Sequence, residues 1–351
     1  MSPDDPPPSI ARQRPPTMDD VAQAAGVSRA LVSLVMRNAP NVSDKRRHAV
    51  LDAADRLGYR PNAAARSLAE RRSNTLGVVV NDLHNTFFAD LVDGIHEIAQ
   101  ANGFRLLLNT AWRTDTDERE AIEAFLEYRV DGILVLGPTA EGDTLLEASR
   151  NTPLVTIGSS FPGVDAVVND DLRGGEMAAE HLVQLGHRDI VHLDGGNGAG
   201  AAHRREGFAG VMESMGLDIR VVPGEFTERS GLAAATRLVE SGSVPTAVFA
   251  ANDLAAVGLI DALTVAGHSV PESVSVIGYD NTHLAHLQHI GLTTINQPRV
   301  EMGRLAAEIV LERLESGRRQ AVCHVVTPKL VVRETTAPPP VRVIQRIESG
   351  I

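Results

Sequence analysis

The chain of 351 residues contains one cysteine, Cys323, which excludes an intrachain disulfide framework and suits a reducing cytoplasm. No apolar run approaches the ~20 residues that a membrane-spanning helix needs. Residues 1–16 are proline-rich and polar and lack the apolar centre of a secretory signal, so they read as a disordered tail. Basic residues are in the minority: 33 Lys+Arg stand against 45 Asp+Glu, a formal net charge of −12. Nucleophile elbows, zinc-protease helices and P-loops are all missing. That leaves no residues to carry a catalytic cycle, and the chain reads as a non-enzyme without a cofactor. What is present is a hydrophobic fraction of 43%, ample for globular cores, in a chain long enough for two or three domains.

The scarce positive charge is unevenly spread. Residues 1–75 hold 12 Lys+Arg against 8 Asp+Glu, a net of +4, and the remainder holds 21 against 37, a net of −16. A basic head on an acidic body suits a protein whose head alone meets phosphate. That head carries a helix-turn-helix pattern. Thr17 can cap a first helix, with Asp19 and Asp20 in its positively polarised first turn and Val21 and Ala22 facing inward. Gly26 ends it in a left-handed conformation, and Ser28 caps a second helix with Leu31, Val32 and Val35 at helical spacing. A third helix over 43–57, capped by Ser43 and opening with Lys45-Arg46-Arg47, would pack through Val50, Leu51, Ala54 and Leu57. Two short helices across a glycine turn place the second in a DNA major groove.

From Thr75 onward strands alternate with helices. A first series has strands at 76–80, 104–108, 132–136 and 153–157 and helices at 89–101 and 117–128. A second opens with a strand at 166–168 and continues with strands at 190–193, 247–250, 274–278 and 292–295 and helices at 174–185, 204–215, 230–241 and 254–266. A helix at 300–314 and tail strands near Val325 and at 330–332 complete it. The fold expected is an all-α helix-turn-helix headpiece plus an α/β core of two doubly wound parallel-sheet subdomains, like a periplasmic binding protein. Ligands in such sheets sit beyond the carboxyl ends of the strands, so two facing units enclose a cleft.

The order and spacing of several short motifs carry a specific resemblance. They are Asp20-Val21-Ala22 with Gly26-Val27-Ser28, Gly58-Tyr59-Arg60-Pro61-Asn62, Asn85-Thr86-Phe87-Phe88 and Val130-Asp131-Gly132-Ile133. Later ones are Leu185-Gly186-His187, Arg204 with Gly207-Phe208, Ala251-Asn252-Asp253, Gly278-Tyr279-Asp280 and Leu292-Thr293-Thr294-Ile295. From Thr17 to about Thr335 the chain resembles the lactose-repressor family of bacterial transcriptional regulators.

The resemblance implies a DNA-binding headpiece over 17–61, a hinge helix and linker over 62–73, an effector-binding and dimerisation core over 74–335 and a tail over 336–351. Residues 1–16 stand outside it. It implies DNA contacts from Thr17, Ser28, Arg29, Ala30, Ser33, Leu34, Asn41 and Lys45, with Arg29 able to read guanine in a bidentate contact. Family members often carry Arg or His where this chain has Leu34, which cannot hydrogen-bond a base. In the hinge it implies contacts from Asn62, Ala65 and Arg66, and a minor-groove wedge at Leu68. It further implies effector contacts from Phe87, Phe88, Arg204, Asn252, Asp280 and Gln297, and beside them Trp112 offers another ring to cover an apolar sugar face or else plugs the edge of the unit. Paired donors and acceptors under an aromatic ring suit a sugar; a purine or other metabolite is the alternative. The partners implied are a palindromic DNA operator, the effector and a second copy of the chain, in a cytoplasmic, nucleoid-associated homodimer. After Arg333 a Pro338-Pro339-Pro340 break and no leucine heptads argue against a tetramer.

Three other signals need weighing. Gly196-Asn197-Gly198-Ala199-Gly200-Ala201 fits a dinucleotide fingerprint, but the acidic partner expected after the next strand is missing, so it reads as a glycine loop at the cleft mouth. His283, His286 and His289 fan too widely to hold a metal and read as a solvated loop. Asp253 reads as a helix cap, and Arg204 and Asp280 are candidates for a salt bridge with each other. A secreted sugar-binding protein would need a signal in place of the helix-turn-helix, and a dehydrogenase a completed cofactor motif.

Overall fold

The computed structural model describes residues 14, 16–37, 39–60 and 72–340, and the chain divides into two units at Ser73/Asn74. In the first unit, α1 (Met18–Ala25), α2 (Arg29–Met36) and α3 (Asp44–Leu57) pack around Val21, Val32, Val50 and Ala53, all fully buried. Gly26 and Gly58 end α1 and α3 in the left-handed conformation, at φ +64° each. Ser43 holds the N-cap position of α3, as expected, but makes no side-chain cap bond. One expectation fails: Leu51 and Leu57 are 47% and 40% exposed, and Ala53 takes the inward position.

The second unit holds two six-stranded sheets. One contains β1 (Thr75–Val80), β2 (Arg105–Thr110), β3 (Gly132–Leu136), β4 (Leu154–Ile157), β5 (Asp165–Asn169) and β11 (Cys323–Val326) in the order β11-β5-β4-β3-β1-β2, all parallel. The other contains β6 (Ile190–Leu193), β7 (Arg220–Val222), β8 (Ala247–Ala250), β9 (Ser275–Asp280), β10 (Thr293–Asn296) and β12 (Lys329–Val331) in the order β12-β10-β9-β8-β6-β7. Its edge strand β12 runs antiparallel to β10. The first lobe is completed by α4 (Thr86–Ala101), α5 (Asp115–Glu127) and α6 (Gly142–Ser149), and by α11 (Arg299–Ser316) from far along the chain. The second has α7 (Asp171–Gln184), α8 (Ala201–Ser214), α9 (Glu228–Glu240) and α10 (Asp253–Val265).

The chain therefore crosses between lobes three times: at Asp170, at Gln297–Pro298 and at Thr327–Pro328. This corrects the expected division, because the strand at 166–168 belongs to the first sheet and the helix at 300–314 packs on the first lobe. The short helix α6 and the three-residue β7 were not anticipated.

Close helix pairing is written in glycine. A Cβ on Gly94 of α4 would lie 2.1 Å from the Val300 carbonyl oxygen, and one on Gly303 of α11 would lie 2.2 Å from that of Leu91. Beyond β12 the chain straps across the second lobe through Ala337, two residues past the expected end of the core. Thr335 Oγ1 accepts from Thr293 N at 2.9 Å, and the Ala337 carbonyl oxygen lies 2.8 Å from His187 Nε2. Among the described residues no helix is long and apolar enough to cross a membrane, and no group of His, Cys, Asp and Glu could hold a metal. His283 and His286 lie on a 3-10 turn (His283–His286).

Candidate functional site

In the headpiece, Thr17 and Asp20 form a reciprocal capping box. Thr17 Oγ1 accepts from Asp20 N at 3.3 Å, and an Asp20 carboxylate oxygen accepts from Thr17 N at 2.7 Å. Hydrogen bonding from Thr17 holds the Asp20 carboxyl below its ordinary range. Ser28 Oγ accepts from Leu31 N at 3.3 Å, so it caps α2. Arg29, Ala30 and Leu34 are exposed along α2, and Ser33 is half-buried beside them. Arg29 reaches Asp19 only at 3.7 Å, which leaves its guanidinium available to a partner. Asn41 and Lys45 are exposed near the start of α3, whereas Arg47 turns back to donate to the Ala39 carbonyl oxygen at 2.5 Å. Asn62, Ala65, Arg66 and Leu68 lie outside the described residues.

In the core, both sheets point the carboxyl ends of their strands at a cavity of about 370 Å³. Phe87, Phe88, Arg204, Asp280 and Gln297 line it. Phe87 and Phe88 stand in the first turn of α4, not at the end of the preceding strand, because Asn85 caps that helix by accepting from Phe87 N at 3.0 Å. Their rings meet edge to face at 5.3 Å and form an apolar wall.

Opposite that wall Arg204 is 4% exposed. Its Nε donates to Asp171 Oδ1 at 2.9 Å and its Nη1 to the Ala251 carbonyl oxygen at 2.8 Å, with the guanidinium 3.7 Å above the Tyr279 ring. Burial opposes the charge, but the Asp171 carboxylate outweighs it and holds the guanidinium firmly protonated. Arg204 thus pairs with Asp171, not with the candidate Asp280, and Asp171 itself lines the cavity. The Tyr279 hydroxyl donates to the same Asp171 oxygen at 2.8 Å and accepts from Asn169 Nδ2 at 2.8 Å.

Asp280 sits at φ +107°, a strained conformation for a residue with a side chain. Arg299, donating to its carbonyl oxygen, and Gln297, donating to its carboxylate at 2.6 Å, hold it there. Burial pushes the Asp280 carboxyl well above its ordinary range, only partly offset by the Arg204 charge.

Two expected residues do not join the site. Trp112 is 61% exposed and is not among the lining residues. Asn252 is the cap of α10, accepting from Ala255 N at 2.9 Å. Asp253 is not a cap; it is fully buried and accepts from Thr282 N at 2.6 Å and Thr294 Oγ1 at 2.7 Å.

The sequence reading missed Asn81, Asp82, Arg113, Glu225 and Phe226, all on loops that follow strands. The glycine loop at 195–200 leads to Arg204 at the cavity, as expected, and its composition has a physical cause. A Cβ on Gly195 or on Gly198 would lie 2.2 Å from the Phe226 ring. These glycines make room for an aromatic side chain, which removes the reason to read them as a pyrophosphate cradle.

Known proteins match both units. Residues 17–62 match the description "bacterial regulatory proteins, lacI family", and residues 179–336 match a periplasmic binding protein-like domain. The HTH-type transcriptional regulator DegA of Bacillus subtilis is 36% identical over 333 residues, spanning 92% of this chain and 98% of DegA. The Lac repressor dimer bound to operator and the anti-inducer ONPF superposes with a TM-score of 0.82 at 28% identity, covering 92% of this chain and all of that one. The CelR–cellobiose complex superposes at 0.69 with 30% identity, covering 91% and 99% of the two chains. A capped helix-turn-helix head, a two-lobed core and relatives of this identity over nearly the full length lead to one conclusion: the chain belongs to the LacI family of bacterial transcriptional regulators.

Proposed function

We propose that this regulator is a repressor, a cytoplasmic homodimer on the nucleoid, and that a sugar in the interlobe cavity sets its affinity for a palindromic operator. One observation carries the effector reading. The Phe87–Phe88 wall faces a polar wall of Arg204, Asp280 and Gln297, with acceptors and donors side by side as vicinal hydroxyls require. A sugar offers one apolar ring face and an edge of hydroxyls, and this cavity has both counterparts. The similar CelR structure holds cellobiose, and the similar Lac repressor is a dimer on operator DNA.

On DNA, Arg29, Ala30, Ser33 and Leu34 of α2 would meet base edges, while Thr17, Ser28, Asn41 and Lys45 would meet phosphate. The domains proposed are the headpiece over 17–61, the hinge over 62–73 and the core over 74–335. An eight-residue hinge helix over 62–69, with Asn62, Ala65, Arg66 and Leu68 toward the DNA, is too short to be stable by itself. It would fold where two copies meet on DNA, so an effector that changes the spacing of the lobes would favour or oppose it.

Calorimetric titration of the full chain with a panel of monosaccharides, disaccharides and purine bases tests the effector. A saccharide should bind, and Asp280→Ala should weaken it by about 1–3 kcal/mol, the cost of stranding a desolvated polar partner. Binding of a purine and no saccharide would overturn the assignment. For the head, Arg29→Ala should cost about 1–3 kcal/mol of operator affinity and relax preference at one base pair per half-site.

A further inference from the structure

Arg113 and Glu225 lie on opposite lobes and meet across the mouth of the cavity, with Arg113 Nη2 3.1 Å from Glu225 Oε2. Arg113 belongs to the loop between β2 and α5, and Glu225 to the loop between β7 and α9. Among the described residues this is the one side-chain ion pair that joins the lobes. Its members are 36% and 64% exposed, whereas Asp171 and Gln297, which line the cavity beside two of the interlobe crossings, are 5% and 3% exposed. The pair therefore closes the solvent end of a cleft whose inner end is formed by the interlobe crossings at Asp170 and Gln297–Pro298.

The backbone is built to deliver it. Trp112 and Arg113 are consecutive non-glycine residues in the left-handed region, at φ +43° and +64°. Such strain persists only where the surroundings impose it and is concentrated at clamps and switches. Arg113 N is tied to the Asn81 carbonyl oxygen at 3.2 Å, and Glu225 N to Ser230 Oγ at 2.8 Å, so both loops are anchored to their own lobes.

We infer that Arg113 and Glu225 form a clasp that sets the balance between closed and open lobes and retains ligands that lie wholly behind it. A ligand that protrudes through the mouth must break the pair, so the clasp selects for enclosed ligands. This rests on the cleft being the effector site, but the clasp itself can be read without any ligand.

The lone Cys323, exposed on β11 of the first lobe, and Val265→Cys, at an 84% exposed position on α10 of the second, accept a pair of spin labels. The interlobe distance distribution of the full chain is then measured by double electron–electron resonance. Glu225→Gln should shift the closed-to-open ratio two- to fivefold toward open, the range expected for an exposed pair. Raised salt should do the same to the parent protein and little to the variant. Arg113→Glu with Glu225→Arg should return the distribution to its original form. Identical distributions in the parent and Glu225→Gln, with equal melting temperatures, would overturn the clasp, as would an exchanged pair that stays open. Neither result depends on which ligand binds, so failure of the clasp is separate from failure of the sugar assignment.

Discussion

Replacing Arg204 with alanine should destabilise the core as well as the ligand site. Sequence alone suggests a pure binding variant, because Arg204 stands just after a glycine loop at the cleft. In the structure its guanidinium and the Asp171 carboxylate are each 5% exposed and 2.9 Å apart. Removing one member of such a pair leaves the other charge buried, at a cost of about 3–5 kcal/mol. The Tyr279 hydroxyl and the Asn169 amide still touch Asp171 or its partner, but neither carries a compensating charge. For folded units of this size each kcal/mol moves the melting temperature by about 2–4 °C, so Arg204→Ala should melt about 6–20 °C lower. Differential scanning calorimetry of the full chain measures this. Arg204→Met combined with Asp171→Asn removes both charges at similar volume and should recover more than half of the loss. A single variant that melts within about 2 °C of the parent would refute the reasoning, since it would mean that the pair is solvated in solution.

Asp280 gives a pH prediction. Its carboxyl is raised by burial above the ordinary 3.8, so the folded chain holds this proton more tightly than the unfolded one. The stability it contributes is full below that value and is lost as pH rises toward neutrality; Asp280→Asn should flatten the melting profile between about pH 4 and 7. An unchanged slope would remove Asp280 from the titration. Gly94→Ala should cost about 1–3 kcal/mol in chemical denaturation, because its Cβ would strike the Val300 carbonyl oxygen. Gly210→Ala, with nothing within 4 Å of the new atom, should instead gain about 0.4–1 kcal/mol. Trp112→Ala should leave saccharide affinity within about twofold of the parent, as expected of an exposed side chain outside the lining.

What sequence made legible is what local chemistry decides. Thr17, Ser28 and Gly26 act within a few residues of themselves, so the ends of the first two helices could be read directly. Leu51 and Leu57 repeat at helical spacing yet stay exposed, because a small three-helix head has few inward positions and Val50, Ala53 and Ala54 take those of α3. The strand at 166–168 was placed in the wrong lobe because its neighbours are β4 and β11, the latter more than 150 residues away. Phe226 was invisible for a related reason. It follows Arg220–Val222, a strand too short to show a pattern, and only the loop glycines packed beneath its ring mark the position. Trp112 reads as a ring able to cover a sugar face, but residue type says nothing of direction, and the side chain is exposed outside the lining. Arg204 lines the cavity, but its partner Asp171, 33 positions earlier on another helix, was not legible, and Asp280 stood only as a candidate.

The three crossings between lobes also set an order of assembly on the ribosome. The head is complete once α3 has emerged, with more than 250 residues still to be made. Neither lobe has that independence. The first waits for α11, which covers β3, β4 and β5, and for its edge strand β11; the second waits for β12 and the strap through Ala337. Both sheets therefore close within the same short stretch of synthesis, near residues 323–337. Until then a nascent chain holds a folded DNA-reading head beside two open-edged sheets, a form prone to mispairing and one that cellular quality control can recognise. A chain interrupted before residue 323 would lack an edge strand in each lobe at once, so premature termination yields an incomplete core rather than a working half.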